Sequence, residues 1–110
     1  MGQTLTIKTI PYSIKIADSF FTRFKGLMFR KDPLMTEGLW IIPCNSIHMC
    51  FMHFAIDAVF LNKEGRIVKI IEGIKPWQFV KPIKNAYSVI ELPIGTIRWL
   101  GLKLGEVIKL

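Results

Sequence analysis

The chain has 110 residues, of which 51% are hydrophobic and 21% are charged, and its net charge is +7. This length and composition indicate one folded domain, residues 1–110, with a hydrophobic core, and they exclude a disordered chain. No apolar run approaches the roughly 18 residues of a membrane-spanning helix. The amino terminus alternates apolar and polar residues and lacks the features of a signal peptide. We therefore expect a cytoplasmic protein with no membrane partner.

The first third of the chain predicts two short strands and one helix. The segments LTIKTI and YSIKIA alternate apolar and polar residues on either side of a proline, which is typical of strands. Asp18 or Ser19 then caps a helix, in which apolar residues recur at helical spacing from Phe20 to Met28. We expect this stripe to be buried on a sheet, with Phe24 in the core.

The rest of the chain consists mostly of predicted strands. Apolar or alternating segments bounded by turn residues indicate five of them: LWIIP, AIDAVFLN, RIVKIIEGI, YSVIELP and LGEVIKL. KEG between the second and third of these segments predicts a hairpin, and GTIRWLG predicts one helical turn. The element order predicts an α+β fold: a small, mostly antiparallel β-sheet or a partly closed β-barrel, with one main helix packed on it.

The segment CNSIHMCFMHFAID concentrates cysteine, histidine and methionine before an aspartate. If the segment is one extended strand, one of its faces carries five side chains: Cys44, Ser46, His48, Cys50 and Met52. His48 with Cys44 or Cys50 could then bind zinc or Cu(I). However, the spacing matches no standard zinc arrangement, and histidine, cysteine and methionine also occur as core residues. We therefore expect a structural core histidine, no bound metal and no cofactor.

A metal- or thiol-dependent enzyme using His48 with Cys44 or Cys50 remains an alternative. Neighbouring same-face side chains on a strand are ~6–7 Å apart, so a direct hydrogen bond between His48 and Cys50 would be strained. On a strand the two cysteines also lie too far apart for a disulfide, and we expect free thiols. The chain has no nucleophile elbow, phosphate-binding glycine loop or HExxH motif, so the sequence assigns no catalytic residue.

Two carboxylates interrupt predicted strands at positions where burial is expected. Asp57 and Glu91 lie among apolar neighbours, and a buried carboxylate needs partners. Structural hydrogen bonds are one solution. The other is a shared polar pocket, which we predict to consist of His48, Asp57, Glu91 and Arg30, with Trp77 on a long loop covering part of it. Such a pocket would make the chain a non-catalytic binding domain for a small or anionic ligand or a protein partner.

Residues 75–87 form a second candidate surface, because lysines alternate there with aromatic residues. Basic and aromatic side chains together can bind phosphates and stack on bases. No recognised nucleic-acid-binding motif accompanies this loop, so nucleic acid is not the favoured partner.

The ordered segments carry a resemblance to a known family. RFKGLMFR is followed by GLWIIPCNSIHMCFMHFAIDAVFLNKEGRIVKI, and then by PW, VIELPIGT and LGLKLGE. This series, over roughly residues 15–110, resembles the prokaryotic family called domain of unknown function 192. Many members have Trp-Met-Lys-Asn-Thr before the aspartate, whereas this chain has HMCFM and looks like the subgroup with Cys-x-x-x-His. The resemblance implies a compact β-rich domain and implies no activity.

Overall fold

The computed structural model describes residues 7–109, except for the side chain of Phe20. Two helices, α1 (Phe20–Lys25) and α2 (Thr96–Leu100), accompany nine strands: β1 (Ile7–Thr9), β2 (Ser13–Ala17), β3 (Glu37–Ile41), β4 (Ile47–His48), β5 (Ile56–Leu61), β6 (Ile67–Ile74), β7 (Phe79–Val80), β8 (Ser88–Pro93) and β9 (Val107–Lys109). The part of the first predicted strand before Ile7 lies outside the described residues. No helix within residues 7–109 has the length and apolarity that crossing a bilayer requires.

Five strands form the central sheet, in the order β2-β3-β8-β5-β6. β2 and β3 run parallel, and the other three pairings in this sheet are antiparallel. The sheet remains open because β2 and β6 are its edges, while β1–β9 and β4–β7 form separate two-stranded sheets. The α+β prediction is therefore confirmed in the form of a mostly antiparallel sheet, and the sheet does not close into a barrel.

The two central strands, β5 and β8, are buried along their whole length. Each face of these strands is covered by a separate hydrophobic cluster. Phe60, Ile56 and Met49 belong to one cluster, and Val59 and Ile90 belong to the other. Strands buried on both faces are almost continuously apolar, so a charged residue in either strand faces one of the two clusters.

Helix α1 is short because both of its ends are fixed locally. Ser19 caps the first turn, accepting a hydrogen bond from the backbone N–H of Thr22 at 3.1 Å, and Thr22 bonds back to Ser19. Gly26 ends the helix at φ +49°, and the buried Leu27 and Met28 follow it. The prediction of a cap near Ser19 is confirmed.

The predicted buried stripe of this helix is wrong in its aromatic part. Phe21 and Phe24 are 71% and 59% exposed, while Leu27 and Met28 are each only 9% exposed. The chain leaves the helical path at Gly26, so the later apolar residues enter the core and the helical phenylalanines do not. The prediction for the side chain of Phe20 lies outside the part that the structure describes.

The extended strand considered for Cys44 to Asp57 does not form. Only Ile47–His48 is extended there, as β4, before the strand β5 begins at Ile56. Phe51 adopts φ +60°, and the backbone N–H of Met52 bonds to Met49 O at 3.3 Å. This turn breaks the alternation of faces, and it brings both Met49 and Met52 into the core.

Candidate functional site

A small polar cavity lies between the end of α1, the strands β3 and β4, and the central strand β8. Its volume is about 40 Å³. We refer to it as the Glu91 cavity, and its lining includes the polar residues Arg23, Lys25, Cys44, Ser46, His48 and Glu91. A single water molecule occupies roughly 30 Å³ in the liquid, so this cavity has room for one functional group.

Glu91 forms the inner wall of the cavity from the centre of the sheet. It pairs with Leu39 on one side and Ala58 on the other, and it is only 5% exposed. Its Oε1 atom is buried and has no hydrogen-bond partner among residues 7–109. A Cβ atom placed on Gly26 would lie 3.7 Å from Oε1, so the glycine leaves open space there. Burial raises the pKa of Glu91 to about 7, so its charge changes near neutral pH.

His48 contributes a second unpaired polar atom to the same cavity. Its Nε2 lies 3.3 Å from the backbone oxygen of Phe24. A carbonyl oxygen can only accept, so Nε2 donates, and in the neutral ring Nδ1 is then an acceptor. Nδ1 is buried, and no described residue is its hydrogen-bond partner. The ring packs against Phe24, with centroids 5.6 Å apart.

Cys44 and Arg23 line the same cavity but already have other bonds. The Cys44 thiol donates to Ser46 O at 3.0 Å. Burial raises the pKa of Cys44, and the Glu91 charge adds to this effect, while the Ser46 bond and Arg23 oppose it. Arg23 donates from Nη1 to Pro43 O at 3.2 Å and from Nε to Ser19 O at 3.3 Å. Because its pKa is raised and its thiol donates to Ser46 O, Cys44 is a protonated thiol.

A larger surface cleft adjoins the Glu91 cavity. It has a volume of about 240 Å³, and it shares Arg23, Phe24, Cys44, Ser46 and His48 with the cavity lining. Its remaining walls come from Pro43 and Phe79. We refer to it as the outer cleft. The narrow Glu91 cavity thus lies beside the wider outer cleft, which has an aromatic rim and the guanidinium group of Arg23.

The structure brings together only two of the predicted pocket residues, His48 and Glu91. Asp57 pairs with Leu92, the neighbour of Glu91 in β8, so the two carboxylates lie on opposite faces of the sheet. Asp57 is fully buried, and its oxygens accept from the backbone N–H groups of Gly73 at 2.9 Å and Ile97 at 3.0 Å. It therefore has the structural hydrogen bonds that the sequence left open as its alternative role.

Trp77 and Arg30 also lie away from the Glu91 cavity. Trp77 is 63% exposed, and its ring contacts Phe51 at a centroid distance of 5.0 Å. Arg30 forms an ion pair with Glu37 and donates to Asp32 O at 2.9 Å. Neither residue lines the cavity or the outer cleft.

The sequence did not assign Gly26 or Arg23 to the site. An isolated glycine near the end of a helical pattern can mark the helix end, and Gly26 ends α1. The position of Arg23 beside Cys44 depends on a contact between α1 and the segment after β3, which has no local sequence signature.

No group of three or more histidine, cysteine, aspartate and glutamate side chains within residues 7–109 is arranged to hold a metal ion. Cys44 and Cys50 are free thiols. The candidate ligand set of Cys44, His48 and Cys50 therefore forms no such group among the described residues.

The sequence is similar to several archaeal proteins. The family model for domain of unknown function 192, described as Uncharacterized ACR, matches residues 3–110. A UPF0127 protein of Thermococcus sibiricus is 39% identical over 101 residues, which are 86% of this chain and 64% of that protein. A UPF0127 protein of Pyrococcus furiosus is 36% identical over 104 residues, which are 90% of this chain and 87% of that protein. The chain thus spans slightly less than two thirds of the first relative and most of the second.

Two crystal structures share the fold. A protein of unknown function from Novosphingobium aromaticivorans has a TM-score of 0.78 and 22% identity, and the match covers 87% of this chain and 73% of that one. A protein of Sinorhizobium meliloti, described as a candidate transcription regulator, has a TM-score of 0.77 and 24% identity over 86% of this chain and 78% of that one. At these identities the similarity establishes the fold alone.

Proposed function

The chain belongs to the domain of unknown function 192 family, and from its geometry we propose that it is a small, non-catalytic binding domain for a hydroxylated anionic ligand. One hydroxyl group of the ligand enters the Glu91 cavity, and the rest of the ligand lies in the outer cleft. The observation that carries the proposal is that two residues lining one cavity, Glu91 and His48, each have a buried atom, Oε1 and Nδ1, with no hydrogen-bond partner among residues 7–109.

Unpaired polar atoms in a protein interior are costly, and native proteins contain few of them. Two in one cavity therefore favour a group that bonds to both. His48 Nδ1 needs a donor because Nε2 faces a carbonyl oxygen. Glu91 is protonated below a pKa of about 7 and can then donate. A hydroxyl group both donates and accepts, so it matches this pair.

The outer cleft accounts for the rest of the ligand. The Glu91 cavity, at about 40 Å³, holds one functional group, whereas the cleft offers about 240 Å³. Arg23 supplies a guanidinium group, which favours a carboxylate or phosphate. Phe24 and Phe79 add apolar surface at the rim. A small acid with several hydroxyl groups fits this combination.

The enzyme alternative, His48 acting with Cys44 or Cys50, has less support. A cysteine nucleophile needs a thiolate and a base within hydrogen-bond reach. Burial raises the pKa of Cys44, and its thiol donates to Ser46 O and not to His48.

We also propose a cytoplasmic location, because free thiols such as Cys44 and Cys50 persist in a reducing compartment.

The proposal is tested with three matched probes: gluconate, sorbitol and hexanoate. Gluconate has both hydroxyl groups and a carboxylate, while the other two lack one or the other. We expect gluconate to shift the NMR signals of His48 and Glu91 most strongly, with an affinity that falls between pH 6 and pH 8.5 as Glu91 loses its proton. Glu91→Gln should remove this pH dependence, and Glu64→Gln in the exposed hairpin should retain it.

Equal binding of the three probes, or none, would overturn the proposal, as would gluconate binding that Glu91→Gln leaves unchanged at every pH. A single ordered water bridging Glu91 and His48, unaffected by saturating gluconate, would show that the cavity is only structural.

A further inference from the structure

Three aromatic rings form an exposed cluster on the surface, away from the Glu91 cavity. Phe29, Phe51 and Trp77 are 60%, 47% and 63% exposed. The Phe29 and Phe51 rings stack at 5.0 Å, and Trp77 meets Phe51 edge-on at 5.0 Å. We refer to these three residues as the aromatic stack. They come from three separate loops, so their meeting is a property of the fold.

All three residues adopt left-handed backbone conformations. Their φ angles are +66° for Phe29, +60° for Phe51 and +68° for Trp77. Such angles are unfavourable for bulky side chains and persist where the surrounding structure holds them. Backbone hydrogen bonds hold two of them: Phe29 N–H donates to Phe51 O at 3.1 Å, and Trp77 N–H donates to Met49 O at 2.8 Å. The fold thus accepts strain at three positions while leaving three large rings in water.

A basic groove adjoins the aromatic stack at Phe29. It has a volume of about 480 Å³, its lining includes Lys15, Lys25 and Arg30, and none of the lining residues within 7–109 is acidic. Arg30 is already paired with Glu37. Within residues 7–109, Lys15 and Lys25 have no acidic side chain within ion-pair distance, so their charges are available to an anion.

We propose that the aromatic stack and the basic groove together bind single-stranded nucleic acid. Bases stack on Trp77 and Phe51, and the phosphate backbone continues past Phe29 along Lys15 and Lys25. Exposed rings beside a cationic groove are the combination that binds single strands without strong sequence preference. Lys15 and Lys25 in the groove and the net charge of +7 complement a polyanion. A duplex keeps its bases paired and stacked on each other, so it cannot use the rings.

This surface is not the basic-aromatic loop that the sequence suggested. Within residues 75–87, only Trp77 joins the aromatic stack. Phe79 lines the outer cleft, and the Tyr87 ring lies under Lys63 at 5.7 Å. The partners of Trp77 are distant in sequence, which explains why no linear motif marks the site. The basic groove and the Glu91 cavity share Lys25, Gly26, Leu27 and Met28. The aromatic stack lines neither the cavity nor the outer cleft, so the Trp77 variants test this inference separately from the proposed ligand.

The test is fluorescence anisotropy with a labelled 15-nucleotide oligo(dT) and oligo(U), and with a duplex of equal length. We expect the single strands to bind more tightly than the duplex. Trp77→Ala should weaken binding about 10-fold, since loss of one base–aromatic stack typically costs roughly 5- to 150-fold. Trp77→Leu keeps an apolar contact with Phe51 and should weaken binding similarly. Trp99→Ala is the matched control. Trp99 has a similar exposure of 68%, but it lies outside the aromatic stack and stacks on Tyr12.

The salt dependence tests the groove separately. Each phosphate contact on a single strand contributes about −0.7 to the slope of log K against log salt concentration. The double variant Lys15→Gln/Lys25→Gln should therefore make the slope less steep by about 1.4. Lys69→Gln, at an exposed position of β6, should produce a smaller change. Glu91→Gln should leave oligonucleotide binding unchanged.

Several outcomes would overturn the inference. These are duplex binding as tight as single-strand binding, an equal loss in Trp77→Ala and Trp99→Ala, and an unchanged salt slope in the double lysine variant. Trp77-dependent binding to vesicles containing anionic phosphatidylglycerol, without oligonucleotide binding, would instead identify a membrane surface. Retained thermal midpoints in Trp77→Ala and Trp77→Leu establish that both variants are folded.

Discussion

Asp57 and Glu91 lie in adjacent central strands, one residue out of register, and face opposite sides of the same sheet. Both are acidic side chains in otherwise apolar strands, and both are buried. Each oxygen of Asp57 accepts a backbone hydrogen bond, whereas Oε1 of Glu91 has no partner. Asp57 shows how the fold satisfies a buried carboxylate, and Glu91 shows one that the fold leaves available.

The cause of the difference is the backbone around each residue. A register shift between β5 and β6 falls beside Asp57, and there Gly73, at φ +65°, directs its N–H at the carboxylate. The start of α2 supplies the N–H of Ile97. Glu91 instead lies near Gly26 at the end of α1, where no donor among residues 7–109 reaches its Oε1. Burial alone therefore does not identify a functional carboxylate, but burial without partners does suggest one.

The largest loss of stability is expected from removing the carboxylate of Asp57, whose two oxygens both accept hydrogen bonds. Asp57→Ala leaves the N–H groups of Gly73 and Ile97 without an acceptor, and we expect it to lower the free energy of unfolding by about 4 kcal/mol. Urea unfolding at pH 7 measures this. Ser88→Ala is a graded control, because it removes the acceptor of a single bond from Trp40 Nε1, and it should cost about 1 kcal/mol. A loss below that of Ser88→Ala would show that Asp57 is not a structural anchor.

Glu91→Gln should raise the free energy of unfolding at high pH, whereas Asp57→Ala lowers it. The folded pKa of about 7 lies above the ordinary value of 4.5, so Glu91 favours the folded state fully below pH 4.5 and loses this contribution as the pH rises through 7. The glutamine variant should match the parent near pH 4 and exceed its stability by about 3 kcal/mol above pH 8. Unfolding free energies from pH 4 to pH 8.5 provide the measurement. Parallel curves would contradict a buried, unpaired Glu91.

Gly26→Ala sharpens the comparison from the cavity side. The methyl group of the new alanine would lie 3.7 Å from Glu91 Oε1. By excluding water from this carboxyl group, the methyl group should raise the pKa of Glu91 further. The left-handed φ should also cost about 2 kcal/mol in stability. Carboxyl-carbon NMR titration follows the pKa. Gly101→Ala, at φ +65° with no atom within 4 Å of the new Cβ, is the control and should leave that titration unchanged.

The smallest stability effect is expected for Phe24→Ala. Because Phe24 is 59% exposed, its truncation should cost less than about 1 kcal/mol. The buried Leu27, which follows Gly26, should cost about 3 kcal/mol when changed to alanine. Loss of the Phe24 ring exposes His48 to water and should lower the Glu91 pKa toward its ordinary value. Thermal unfolding and the NMR titration measure both effects, and an unchanged pKa would show that Phe24 does not shield the cavity.

The sequence predicts this fold well where the signals are local. The KEG hairpin forms, with Asn62 Oδ1 accepting from the backbone N–H of Glu64 at 3.0 Å and of Arg66 at 2.9 Å. The Ser19 cap also forms, because Thr22 lies three residues away and completes the capping box. Both features depend on residues within four positions of each other, which is the range over which sequence patterns are informative.

The candidate site was predicted only in part because it depends on long-range register. Periodicity identified Asp57 and Glu91 as buried acids, but the pairing of β5 with β8 decides which face each side chain occupies. The aromatic stack was missed for a related reason. Neither phenylalanine nor tryptophan signals a left-handed backbone, so nothing in the sequence predicts the turns at Phe29, Phe51 and Trp77.

The parallel pairing of β1 with β9 has a consequence for the order of folding. Ile7 is matched with Val107, so the first described strand finds its partner only at the far end of the chain. During synthesis, β1 therefore waits with unpaired backbone groups until nearly all of residues 7–109 have been translated. Contacts between residues so distant in sequence form late and slowly. We expect hydrogen exchange at Lys8 and Ile108 to report the last step of folding and, in the native protein, the first local opening.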